Sequence, residues 1–284
     1  MVATDFSERS DRALRRATLI AKEAGAALSL VHVVDDDQPQ RIIDAERDTA
    51  LTLLHEQTAT VARVDGVPSR AHVVLGTAFS GIVQAVARER PDLLVIGPYR
   101  RRALRDTFVG TTAERTVRQV SCPVLMVNAP PVGTYRHMLM TTDLSAGSRA
   151  ALEMASGLGI APQAQRSLLL AFDAPVLRLA MSYTISSEEK EAYLETERAQ
   201  AVRNLAGFLS GLSTTQCDRV LRHARTTPAN EILAAADELV ADLIVVGTRG
   251  ASGFTRLLLG SVAEEVLRRA RRDVLAVPPV RARG

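Results

Sequence analysis

Continuous apolar runs and helix-period segments alternate along the chain. In the first half, LSLVHVV (28–34), AHVVL (71–75), DLLVIG (92–97) and PVLMV (123–127) have the length and Val/Ile/Leu content of buried strands. Segments with helical periodicity separate them, at 7–24, 40–63, 78–90 and 110–120. The second half repeats the order, with strands near 137–142, 167–172, 218–224, 242–247 and 273–277 and helices at 145–158, 187–211, 229–240 and 260–271. Ser186-Ser-Glu-Glu189 reads as a capping box that opens the long second helix. Strict alternation of this kind predicts a parallel sheet covered on both faces. Ligands of such sheets sit beyond the carboxyl ends of the strands at a switch in strand order, which singles out the loops after strands 1 and 4.

The two halves are copies. MVATDFSERSDRALRRA (1–17) aligns with LMTTDLSAGSRAALEMA (139–155) at an offset of 138, pairing Asp5 with Asp143, Ser7 with Ser145 and Ser10 with Ser148. From IVQAVARERPDLLVIG (82–97) against ILAAADELVADLIVVG (232–247) onward, the offset is 150. The second half has therefore gained 12 residues between its first helix and its third strand. This is domain duplication and not a solenoid of short repeats. The stretch 128–134, with Pro-Pro and Gly, suits a linker between domains at 1–130 and 135–284. Met1-Val-Ala-Thr4 leaves the first strand short, or places the natural start upstream.

After its fourth strand the second half reads Gly247-Thr-Arg-Gly250, then, after nine intervening residues, Gly260-Ser261-Val262. Gly247 allows a sharp turn, and Gly250 lets main chain approach a ligand with no Cβ between. Gly260-Ser261 opens a helix, whose free N–H groups and dipole favour an anion, and the hydroxyl adds a donor. Such a loop cradles phosphates without a lysine. Glycine-rich strand-to-helix turns with a plain cap are the competing explanation.

Together with the strand-1 Thr-Asp-Phe/Leu-Ser motif, His32-Val-Val-Asp35, Asp-Leu-Ile-Val-Val-Gly and Pro-Val-Leu-Met-Val, this spacing makes both halves resemble the universal stress protein family. The resemblance covers essentially the whole chain and implies two tandem doubly wound α/β domains, each with a five-stranded parallel sheet. It implies that the last strands of the two domains pair antiparallel as an intramolecular pseudo-dimer, with homodimerisation of the whole chain as a further possibility. Nucleotide-binding members carry Gly-x2-Gly-x9-Gly-Ser/Thr, so the resemblance implies ATP, with Mg²⁺ at its phosphates, in the second domain. Thr142 and Asp143 would lie by the adenosine, Phe172 against the adenine and Gly247 by the ribose. Gly250, Gly260, Ser261 and Val262 would hold the triphosphate.

The first half departs from this pattern. Asp5, Gly97, Gly110 and Thr111 are kept, but Arg100 replaces the second glycine and Pro98 removes a donor. Either that site has lost ATP and become degenerate, or Arg100, Arg101, Arg102 and Arg105 bind an anion through side chains.

Composition narrows the function. Among 284 residues, 46% hydrophobic and 24% charged, no apolar run approaches the ~20 residues of a membrane span. The N-terminus is charged by residue 5, unlike a secretory signal, and two cysteines make no disulfide scaffold, so a cytoplasmic protein is expected. No tryptophan, 4% aromatics and a net charge of +3 argue against a nucleic-acid binder. Arg268-Arg-Ala-Arg-Arg272 reads as dipole-complementing arginines at the end of the last helix. Only Lys22 and Lys190 are lysines; the five histidines share no metal-ligand spacing, and Walker, Rossmann and nucleophile-elbow motifs are absent. The expectation is a nucleotide-dependent stress sensor or signalling protein rather than an enzyme. A nucleotide-free interaction scaffold and a weak ATP hydrolase are the alternatives.

Overall fold

The computed structural model describes residues 1–98, 112–179, 186–210, 212, 216–249 and 259–279. In the first half β1 (Val2–Ala3), α1 (Glu8–Ala24), β2 (Leu28–Val34), α2 (Gln40–Thr60), β3 (Ser69–Leu75), α3 (Ala78–Glu89), β4 (Leu94–Ile96), α4 (Thr112–Gln119) and β5 (Val124–Met126) follow one another, with a π-helical turn at Val61–Asp65. The second half contains β6 (His137–Thr142), α5 (Ala146–Gly157), β7 (Gln165–Phe172), α6 (Pro175–Leu179), α7 (Ser187–Leu209), β8 (Asp218–His223), α8 (Pro228–Glu238), β9 (Leu243–Gly247), α9 (Ser261–Arg269) and β10 (Asp273–Val277). Every strand expected from the apolar runs is present. The capping box forms as well, with Glu189 N–H donating to Ser186 Oγ and Ser186 N–H to the Glu189 carboxylate. The extra residues of the second half fall largely at 173–186, which include α6, where the first half has only 35–39.

The ten strands form one sheet in the order β3-β2-β1-β4-β5-β10-β9-β6-β7-β8. Pairing is parallel within each half and antiparallel at the centre, where Val274 faces Met126, Leu275 faces Leu125 and Ala276 faces Val124. The short β1 still works as a central strand, because Met1 O accepts from Val95 N and Thr4 N donates to Val31 O, continuing its ladders at both ends. One apolar cluster joins the sheet to α1, α2, α5 and α7, a second joins it to α3, α4, α8 and α9, and both run across the two halves. No helix among the described residues is long and apolar enough to cross a membrane.

A buried polar knot lies beside the central seam. Asp273 is fully buried at the start of β10. One carboxylate oxygen accepts from the N–H groups of Asn128 and Ala129; the other accepts from Tyr135 Oη at 2.6 Å and from Arg16 Nε at 3.2 Å. The Arg16 guanidinium also donates to Gly133 O and lies 4.0 Å over the Tyr135 ring. Burial first, and then the adjacent Asp273 charge, pushes the Tyr135 hydroxyl well above its ordinary pKa, so it stays a donor. The 128–134 stretch, expected only as a linker, is thus fixed to both halves. Removing one partner of a buried ion pair costs about 3–5 kcal/mol. Asp273→Ala, which orphans four donors, is expected to destabilise the chain by at least this much and more than Arg16→Ala, as read by urea-unfolding midpoints.

Candidate functional site

The order of strands reverses between β1 and β4 in one half and between β6 and β9 in the other. Both crevices open at the carboxyl ends of these strands. Each begins with the same turn. In the second half Leu144 N–H donates to Thr142 Oγ1 at 2.9 Å, Ser145 N–H and its hydroxyl both donate to Asp143 Oδ1, and Thr142 Oγ1 and Ser148 Oγ are 2.9 Å apart. In the first half Thr4, Asp5, Phe6, Ser7 and Ser10 repeat these contacts. The residue after each aspartate sits in the left-handed region, Phe6 at φ 57° and Leu144 at φ 64°. A side chain there is uncommon and costs energy that the Thr and Asp hydrogen bonds offset. The turn leaves both aspartates exposed at the sheet mouth. Burial pushes the Asp5 carboxyl up, but hydrogen bonds from Ser7 and Ser10 and the nearby Arg9 outweigh it and hold the group below the usual carboxylate range.

On the other side of the second crevice lie the end of β9 and the start of α9. Thr248 N–H donates to Val277 O, and Thr248 O accepts from Gly260 N–H at 2.9 Å, pinning the two ends of the loop together. Gly260 caps α9 with extended backbone and no side-chain bond, and the first intrahelical bond runs from Glu264 N to Gly260 O. The N–H groups of Ser261, Val262 and Ala263 therefore have no partner within the helix. Glu264 would oppose an anion there, but Arg118 from α4 of the first half pairs with it at 3.0 Å. Neither Thr248 nor Arg118 stood out in the sequence. Gly250 lies outside the described residues, as do Arg100, Arg101, Arg102, Arg105, Gly110 and Thr111 of the first half.

In the first half a cavity of about 500 Å³ occupies the crevice, lined by Thr4, Asp5, His32, Val33, Gly97 and Thr116 among others. His32 is half-buried on its wall; its Nδ1–H donates to Thr4 O at 2.8 Å and its ring lies against Phe6. The fully buried hydroxyl of Thr116 has no hydrogen-bond partner among the described residues. Strand alternation decides which second-half residues correspond. At the offset of 138 Val33 maps onto Ala171, and both pack on the α3/α4 or α8/α9 side of the sheet. Phe172 maps onto Val34, packs on the opposite side and stacks on His223 at 5.7 Å between ring centroids. The adenine position inferred for Phe172 is thus one residue from the one whose side chain faces the crevice.

The chain is a pair of doubly wound α/β units with matched crevices. Residues 1–128 and 134–278 each match the sequence model of the universal stress protein family, and the chain belongs to that family. A universal stress protein of Mycolicibacterium smegmatis is 26% identical over 98% of this chain and 96% of its own length. One from Mycobacterium tuberculosis is 25% identical over 97% of this chain and 95% of its own. The crystal structure of a universal stress protein from Archaeoglobus fulgidus superposes with a TM-score of 0.68 over 98% of this chain and 97% of that one, at 20% identity.

The two strand-4 glycines differ in what holds them. A Cβ on Gly97 would meet the backbone oxygen of Arg9 at 2.9 Å, whereas one on Gly247 meets, among the described residues, nothing nearer than the Ala151 methyl at 3.4 Å. Gly97→Ala is expected to destabilise the fold by about 1–3 kcal/mol and Gly247→Ala by less than about 1 kcal/mol. Thermal unfolding of the two variants measures this difference directly.

Proposed function

We propose that the second domain binds one ATP at the crevice between β6 and β9, and that the protein senses or signals nucleotide state rather than catalysing a reaction. The observation that carries this reading is the convergence on one mouth of the Thr142–Asp143 turn and the open N-terminus of α9, tied to the end of β9 through Gly260 and Thr248. In this reading Asp143 and Thr142 orient the nucleoside, and Ala171 stands where the base packs. In this reading Gly247, where the described residues leave room for a methyl, is kept for the ribose rather than for the fold. Gly250, Gly260, Ser261 and Val262 hold the phosphates through main-chain N–H groups and a hydroxyl. Among the described residues no three His, Cys, Asp or Glu side chains cluster to hold a metal. In this reading a divalent cation is carried by the phosphates themselves, and among the described residues no lysine or general base stands at the crevice to drive phosphoryl transfer. The first domain serves as the pseudo-dimer partner, with Pro98 and Arg100 weakening its phosphate contacts.

Calorimetry of the full chain is expected to give one ATP per chain. Gly250→Arg should abolish binding, and Asp143→Ala, which removes a charged hydrogen-bond acceptor, should weaken it at least about tenfold. Asp5→Ala should leave it unchanged. A stoichiometry near two, or unchanged affinity in Gly250→Arg, contradicts the assignment.

A further inference from the structure

A carboxylate on the first turn of a helix competes with any anion for the dipole and the open N–H groups of that helix. Glu264 holds this position on α9, its own N–H bonded to Gly260 O. Asp143 is exposed at the mouth of the same crevice. Two carboxylates of one sign repel a polyphosphate. Arg118 changes this balance. It belongs to α4 of the first half, 146 residues away in the chain, and its Nη2 donates to Glu264 Oε2 at 3.0 Å.

The pair does little for the fold. Its side chains are 33% and 39% exposed, and ion pairs at such positions contribute little stability. In making it, Arg118 leaves its Nε buried with no hydrogen-bond partner among the described residues, which costs stability. What the pair does change is the charge beside the N-terminus of α9. The duplication shows where the arginine comes from. At the offset of 150 Arg118 is the copy of Arg268 and Glu264 the copy of Glu114. Each helix that follows a fourth strand thus carries a glutamate in its first turn and an arginine one turn on. Arg118 crosses the seam to the glutamate of the other half. Its helix also walls the first-half cavity, through Thr112, Ala113 and Thr116. The charge at the second crevice is therefore set from the helix that lines the first.

We propose that Arg118 is a positioning residue of the second-half site, supplied by the first half, and that through Glu264 it sets the preference of that site for nucleotides over nucleosides. The proposal rests on the nucleotide reading of the second crevice. Arg118 acts through Glu264 and not by contact with the ligand. With the pair intact, the two charges cancel beside the phosphates. Without Arg118, Glu264 stands there as an unopposed negative charge; without Glu264, Arg118 stands there as a positive one.

The test is calorimetry of the full chain with ATP, ADP, AMP and adenosine, on the wild type, Arg118→Gln, Glu264→Gln and the double variant. Thermal unfolding checks that each variant is folded, and displacement of ATP measures the weaker ligands. ATP affinity is expected to fall at least about threefold in Arg118→Gln, to rise at least about threefold in Glu264→Gln, and to return to within about twofold of the wild type in the double variant, where the net charge is again zero. The spread should narrow from ATP through ADP to AMP and vanish for adenosine. Arg118→Lys, which keeps the charge, should keep the wild-type affinity for ATP. ATP binding by the wild type with no spread among the folded variants overturns the proposal and leaves the nucleotide site standing. So does a double variant as weak as Arg118→Gln, or an equal loss for adenosine, since either marks the pair as merely structural. Absence of ATP binding by the wild type overturns both the site and this proposal.

Discussion

The antiparallel pairing of β5 with β10 is the constraint on which the rest of the molecule depends. Two half-sheets, each with an open edge strand, become one ten-stranded sheet whose two apolar layers run without a break from one half to the other. An unpaired edge of this apolar composition would be an aggregation hazard, and pairing the two copies removes it within one chain. Asp273 fixes the seam. Its carboxylate gathers donors from α1, from the connecting stretch and from Tyr135, so the relative placement of the halves is set by directional bonds as well as by apolar contact. Burial pushes this carboxyl upward against those donors, the signature of a charge kept inside by its partners.

This seam also reaches the crevices at the carboxyl ends of the strands. Arg118 of the first half offsets Glu264 at the mouth of the second, so the electrostatics of one crevice are completed by the other copy. Duplication in one chain lets the halves diverge. One retains the full glycine spacing after its fourth strand, and the other has exchanged a glycine for arginine while keeping its turn and a cavity of about 500 Å³.

The fold was legible because buried parallel strands are written as unbroken Val/Ile/Leu runs, and because the sequence carries its own second copy for comparison. The capping box at Ser186 was local enough to read directly. The knot at Asp273 was not. Arg16, Tyr135 and Asp273 are far apart in sequence, and each looks ordinary in its own segment. Phe172 shows a different limit. An alignment accurate to the residue still leaves open which face of a strand the ligand meets, and a shift of one position reverses it. The pleat puts Ala171 on the crevice side, a small residue that no search for an aromatic base-stacking partner selects. The strand-1 turn was visible as Thr-Asp-x-Ser in both halves, but the left-handed backbone at Phe6 and Leu144 that directs the aspartates outward required coordinates.

Photolabelling with 8-azido-ATP, followed by mapping of the modified peptides, locates the base without relying on any substitution. If ATP binds the second crevice, label falls in peptides carrying the ends of β6 and β7, around Thr142 and Ala171, and is competed away by ATP. Label confined to peptides around Thr4 to Val33 in the first half, or no label that ATP can displace, would contradict it.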